Sequence, residues 1–158
     1  MLRGKPDNDG NPWTEDQIET GRAAIPRLDA ALKKSVVPEN IIVWRGAAME
    51  DIVEDWGAVV GKRLPDSAFM STSLLQSSAK TFAGYAEEMG KTPLLVEVRV
   101  RRGLHGGYIR HATGLENREE EMLFPRDGAL VVQGAQVDDD GTHRLVVELL
   151  YERRAGKR

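Results

Sequence analysis

Three short segments carry the side chains that could do chemistry: Trp44-Arg45-Gly46, Phe69-Met70-Ser71-Thr72-Ser73-Leu74 and Glu119-Glu120-Glu121-Met122-Leu123-Phe124-Pro125. If the acidic run leads into a strand at Met122, a period of two places Glu119 and Glu121 on one face and Glu120 on the other. Two carboxylates a few ångström apart repel, so one holds its proton more tightly. Such a pair suits substitution at a sugar anomeric carbon, where one carboxylate stabilises a cationic transition state and the other handles a proton. A solvated acidic run is the plain alternative. Arg45 closes the apolar run Ile41-Ile42-Val43-Trp44, and Gly46 after it offers bare backbone that a ligand can approach closely. An ordinary strand-end arginine paired to a surface acid would look the same. The hydroxyls of Ser71, Thr72 and Ser73 sit between Phe69 and Leu74, and each costs about 1–3 kcal/mol if buried without a partner.

Other chemistries find little support. His105, His111 and His143 are too scattered for a zinc cluster, and the chain has no cysteine, so thiol nucleophiles, thiolate metal sites and disulfides drop out. Neither a phosphate-binding glycine loop nor a nucleophile elbow occurs. No metal is expected. With 22 Lys+Arg against 25 Asp+Glu the net charge is −3, which draws the chain to neither nucleic acid nor anionic membranes. The arginines at 99, 101, 102 and 110 fit a strand kept soluble at its edge better than a phosphate-binding stripe.

The elements that must position these groups follow from periodicity. A length of 158 residues, 41% hydrophobic and 30% charged, suits one globular domain. Residues 1–13, rich in Gly, Pro, Asn and Asp, read as a flexible arm, 14–151 as a single domain, and 152–158 as a basic tail. Thr14 and Gln17 have capping-box spacing for a first helix, which is expected to yield near Pro26 to a second helix carrying Leu28, Ala31 and Leu32. Met49, Ile52, Val53 and Trp56 have the spacing of a third helix. A fourth, from Ser77 or Ser78 to Gly90, should bury Phe82, Ala83 and Ala86. Pro93–Val100 alternates, with Val96, Val98 and Val100 against Glu97, Arg99 and Arg101, as in a half-buried strand. Short strand patterns recur at 41–44, 68–74, 122–124, 129–132 and 144–151. Six strands with helices toward the front predict an α+β fold. No run reaches the roughly 18 apolar residues of a membrane span, and residues 1–13 lack the apolar core of a signal peptide. The chain is expected to be soluble, with any secretion or delivery into a target cell depending on a longer protein.

The order arginine, Ser-Thr-Ser, Glu-x-Glu resembles the R-S-E motifs of mono-ADP-ribosyltransferases of the cholera-toxin-like or clostridial C2/C3-like class. Gly106-Gly107-Tyr108-Ile109 is similar to the glycine-rich, aromatic segment that this family places before its Glu-x-Glu loop. The likeness spans about residues 14–150. It implies two packed, mainly antiparallel sheets with a helical N-terminal part and an NAD cleft between the sheets. It further implies that Arg45 holds the NAD phosphates or ribose, that Gly46 bonds the nicotinamide amide through its backbone, and that Ser71 orients Glu121. Ser71, Thr72 and Ser73 line the NAD site, and Phe82 walls the nicotinamide or packs in the core. Glu121 bonds the nicotinamide ribose and stabilises the oxocarbenium ion, while Glu119 positions and deprotonates the acceptor. Glutamate at that place goes with arginine acceptors in the family. Where the family often has an aromatic residue three positions before the first glutamate, this chain has Glu116, beside Leu115.

The resemblance thus implies transfer of ADP-ribose from NAD, as substrate, to a protein arginine by a toxin or phage effector domain. Partners implied are NAD and a protein acceptor, and the toxin reading admits an immunity protein. Two other readings stay open: an NAD glycohydrolase on the same scaffold, and a catalytically silent protein-interaction module.

Overall fold

The structure is a computed structural model that describes residues 12–49, 54–109 and 120–151. Most of the expected arm, all of the expected basic tail, Arg110, His111, Leu115, Glu116 and Glu119 lie outside the described residues.

Helix α1 (Glu15–Leu32) opens with the capping box expected from its sequence: the Thr14 hydroxyl accepts the Gln17 N–H at 3.3 Å, and Gln17 Oε1 accepts the Thr14 N–H at 2.9 Å. It does not yield at Pro26, which lies inside one continuous helix. An internal proline costs about 3 kcal/mol or more, so the last turns need support from elsewhere. They have it. Leu32 is buried, and Asp29 takes two hydrogen bonds from Arg126, at 3.3 and 2.6 Å. Arg126 also stacks 5.5 Å from the ring centre of Phe69, so α1 is fastened to the segment that leads into the Ser-Thr-Ser strand. The guanidinium pKa is raised chiefly by that bond to Asp29, which keeps the clamp charged.

Eight strands follow among the described residues: β1 (Ile41–Met49), β2 (Arg63–Asp66), β3 (Met70–Ser73), β4 (Thr92–Val100), β5 (Gly107–Tyr108), β6 (Glu121–Phe124), β7 (Gly128–Val137) and β8 (His143–Tyr151). Helix α2 (Gln76–Glu88) connects β3 to β4. Hydrogen bonding orders the strands β2-β7-β8-β4-β1-β3-β6-β5, and every neighbouring pair is antiparallel except β4 with β8. β2 and β5 exceed the six strands expected. β2 carries Pro65, which an edge strand tolerates, and β5 has only two residues, too few to show a period.

One pair, Trp44 with Ser73, joins β1 to β3. The bonding order is therefore continuous, yet it divides there into a five-stranded leaf, β2-β7-β8-β4-β1, and a three-stranded leaf, β3-β6-β5. Both bury side chains in one core: Val43, Val98, Val132 and Val147 from the larger leaf meet Met70, Met122 and Phe124 from the smaller. The α+β architecture with two packed, mainly antiparallel leaves and a helical N-terminal part is the one expected.

α2 covers the other face of β1 and β4. Its stripe of Ala79, Ala83 and Ala86 is buried, and small side chains let the helix backbone come close. Because α2 lies on this face, β4 is buried on both sides rather than half-buried. Leu95 is inaccessible, and Glu97, expected at the surface, is buried and bonded by Arg144 at 2.7 Å and Arg99 at 3.3 Å. A buried carboxylate without such partners would be strongly destabilising. The helix expected over Met49–Trp56 is also corrected at both its ends. Met49 pairs with Thr92 as the last residue of β1, and Trp56 opens a 3₁₀ turn, Trp56–Val59. Ile52 and Val53 lie outside the described residues. Nine consecutive ladder pairs with β4 outweigh the helical spacing there. Among the described residues no helix is long and apolar enough to cross a membrane.

Candidate functional site

The leaves part at the Trp44–Ser73 junction, and a cleft opens there, lined by Trp44, Arg45, Gly46, Ser71, Thr72, Ser73, Ala79, Phe82 and Glu121. It encloses about 200 Å³, below the roughly 300–1,000 Å³ of sites that take in a whole small molecule. Its size suits one end of a larger ligand. The three segments that carried candidate chemistry in the sequence thus meet, although Arg45 and Glu121 are 76 positions apart in the chain.

Each hydroxyl of the Ser-Thr-Ser strand has a partner. Ser71 Oγ donates to Glu121 Oε1 at 2.5 Å, Thr72 Oγ1 donates to the Met122 carbonyl at 2.9 Å, and Ser73 Oγ accepts the Leu75 N–H at 2.9 Å where α2 begins. The register explains the first bond. Ser73 pairs with Glu121 and Ser71 with Leu123, so Ser71 and Glu121 are diagonal neighbours on one face, within reach of each other's side chains.

The acidic triplet resolves differently from a plain alternation. β6 begins at Glu121, and Glu120 before it has φ 46°, the left-handed region, which few residues with a side chain adopt without support. The support is visible. The Glu120 carbonyl accepts the Leu74 N–H at 3.0 Å, its carboxylate accepts the Tyr108 hydroxyl, and the Ile109 N–H bonds the Glu121 carbonyl at 3.0 Å. The regular period of two begins at Glu121, because Glu120 is not extended. Of the three glutamates, Glu121 enters the cleft and Glu120 turns to Tyr108; Glu119 lies outside the described residues.

One further expectation changes, and another residue gains a second reason for its identity. Phe82 does not pack in the core: it is 51% exposed and lines the cleft, because the alanine stripe of α2 already fills the face toward the sheet. At Gly46, which lines the cleft, the side where a Cβ would stand is filled by the protein itself. A Cβ there would lie 2.0 Å from the Ala79 carbonyl oxygen and 2.6 Å from the Ala83 nitrogen, both backbone atoms of α2. Gly46→Ala is therefore expected to push α2 off β1 at a cost of about 1–3 kcal/mol. In a chain of this size each kcal/mol lowers Tm by roughly 2–4 °C, so thermal melting checks it; an unchanged Tm would refute the close packing.

Two residues that build the site carry no sequence signal. Asp66 Oδ2 accepts a hydrogen bond from Arg45 at 3.3 Å, and the Arg144 guanidinium, held by Glu97, lies 5.2 Å from the ring centre of Trp44. Arg144 steadies an indole that lines the cleft. Both contacts join strands that are not ladder neighbours, β1 with β2 and β1 with β8, so no local pattern in the sequence announces them.

The arrangement offers a guanidinium for an anionic group, a carboxylate oriented by a serine hydroxyl and an exposed aromatic wall, all converging on one opening. Among solved structures the chain is similar to the C3 exoenzyme of Clostridium limosum, with 22% identity over 90% of this chain and 71% of that one at a TM-score of 0.63. It is also similar to C3stau2 from S. aureus, solved with NAD, with 15% identity over 85% and 73% of the two chains at 0.65. A third is exoenzyme S from Pseudomonas aeruginosa, bound to carba-NAD, with 20% identity over 89% and 62% at 0.61. These likenesses concern the fold. No curated protein sequence matches the chain significantly. A sequence model of the ADP-ribosyltransferase exoenzyme family, however, matches residues 1–153; with nearly the whole chain covered, this protein belongs to that family.

Proposed function

We propose that this chain transfers ADP-ribose from NAD to an arginine side chain of a protein, acting as a toxin-like effector domain. The observation that carries the reading is the 2.5 Å hydrogen bond from Ser71 to Glu121 in a cleft that Arg45 also lines. It fixes one carboxylate, ready-oriented, near a cation suited to a diphosphate.

In this reading Arg45 binds the NAD phosphates, the Gly46 backbone bonds the nicotinamide amide, and Phe82 covers the nicotinamide ring. Thr72 and Ser73 hold β3 in place through their bonds to Met122 and Leu75. The bond between ribose C1′ and the nicotinamide nitrogen breaks, its electron pair leaving with nicotinamide. Glu121 stabilises the ribosyl cation that remains. A nitrogen of the acceptor guanidinium then forms a bond to C1′, and its proton passes to Glu119. No metal takes part in these steps.

Incubation with NAD labelled in the adenosine part, together with polyarginine, tests the proposal. Label on polyarginine with release of nicotinamide is expected. Free ADP-ribose alone would make the protein a glycohydrolase, and neither product would leave a binding module. Arg45→Lys keeps the charge and loses the planar fork of donors. Since a hydrogen bond to a charged group is worth about 1.5–3 kcal/mol, NAD affinity should fall at least about tenfold in calorimetric titration. Unchanged affinity would remove Arg45 from the site.

A further inference from the structure

We propose that Asp66 is a positioning residue for NAD binding, which holds the Arg45 guanidinium in the orientation the dinucleotide requires; this rests on the reading of the cleft as an NAD site. Asp66 is the last residue of β2, at the edge of the five-stranded leaf, where it pairs with Gly128. Directly after it, residues 67–69 cross to the three-stranded leaf and deliver β3 with Ser71. The two oxygens of its carboxylate act on the two sides of this crossing. Oδ2 accepts from Arg45 at 3.3 Å, and Oδ1 accepts the Ala68 N–H at 3.0 Å. One side chain therefore ties the arginine on β1 to the backbone that leads into the serine strand.

The pair is partly sheltered, with side-chain exposures of 28% for Arg45 and 19% for Asp66, so its geometry is better defined than that of a surface ion pair. Tyr151 stands near it. Burial first and the Asp66 charge second hold its phenol pKa well above the usual tyrosine value, so it stays a neutral donor to the Pro125 carbonyl at 2.8 Å. A guanidinium has five N–H donors in a rigid fork; Asp66 engages one nitrogen and leaves the rest of the fork for phosphate oxygens.

Two effects of Asp66 on an anionic ligand have opposite signs. Its charge offsets that of Arg45 and weakens attraction for NAD. Its hydrogen bond removes rotamer freedom from a long side chain before the ligand arrives, which strengthens binding. The second effect wins, because the pair shares a fixed geometry with the Ala68 turn.

Asp66→Ser separates these roles. A serine hydroxyl still reaches the Ala68 N–H but is too short for Arg45, so the crossing keeps its turn. NAD affinity by calorimetry should fall about three- to tenfold, the range for immobilising one long side chain, with Tm unchanged. In an Arg45→Lys background the same substitution should alter affinity by less than about twofold, because the effect runs through the guanidinium. Where the serine variant does not fold, Asp66→Asn, similar in size, serves the same comparison. Affinity equal to or tighter than that of the parent, or full multiplication of the two effects in the double variant, overturns the proposal. If the parent chain itself binds no NAD, the NAD reading fails, an outcome distinct from a parent that binds and a serine variant that binds equally well.

Discussion

Glu121→Gln should suppress ADP-ribosyl transfer and NAD hydrolysis together, each by about 10²- to 10³-fold, the usual loss when one preorganised electrostatic stabiliser is removed. Both reactions pass through the same ribosyl cation, so the loss does not depend on whether a guanidinium or water attacks. The substitution changes little else. The glutamine carbonyl can still accept from Ser71 Oγ, which now reaches Glu121 at 2.5 Å, and the ladder pair with Ser73 uses backbone only. What disappears is negative charge beside a developing positive one, equivalent to roughly 3–4 kcal/mol of barrier at 1.36 kcal/mol per decade. Single-turnover release of nicotinamide, measured with and without acceptor, is the appropriate readout, with Tm as the control. Retention of either activity at parental rate would take Glu121 out of the chemistry.

Glu119→Gln should divide the two activities. A guanidinium must lose a proton to become a nucleophile, and general-base help of that kind is worth about 10²- to 10⁴-fold. Water needs less assistance against so reactive a cation. Transfer to arginine should therefore fall by that factor while NAD hydrolysis remains within about tenfold of the parent, since its barrier loses only a minor contribution. Product analysis on labelled NAD separates the outcomes. Equal loss of both activities would refute the division of labour between Glu119 and Glu121. No loss in either variant would return the acidic run to the solvated surface that its composition alone suggests.

The surroundings of Glu121 fit the role assigned to it. Glu121 is the first residue of β6, inside a ladder, with a serine partner on the neighbouring strand. The left-handed residue Glu120 stands between it and Glu119 and sends its own carboxylate to Tyr108. Neighbouring glutamates are therefore not one chemical object: backbone geometry sends Glu120 and Glu121 to different partners.

What the sequence by itself determined is local. The capping box at Thr14, the end of α2 near Gly90, the alternation of Val96, Val98 and Val100, and each of the three short motifs taken singly depend on residues within a few positions of one another. Those relations survive whatever the rest of the chain does. Tertiary structure decided matters that local preference leaves undetermined or points the wrong way. Pro26 stays helical because Arg126 holds Asp29, 97 residues away. Met49 extends because β4 offers it a ladder partner. Phe82 faces the cleft because three alanines suffice to fill the sheet side of α2. Glu97 is buried because Arg144 arrives on β8 to neutralise it, and Arg45 meets Asp66 although β1 and β2 stand at opposite ends of the five-stranded leaf. In each case the deciding contact joins segments whose separation in sequence carries no information about their separation in space. Its free energy outweighs a local preference worth about 1 kcal/mol for a strand, or about 3 kcal/mol for the proline.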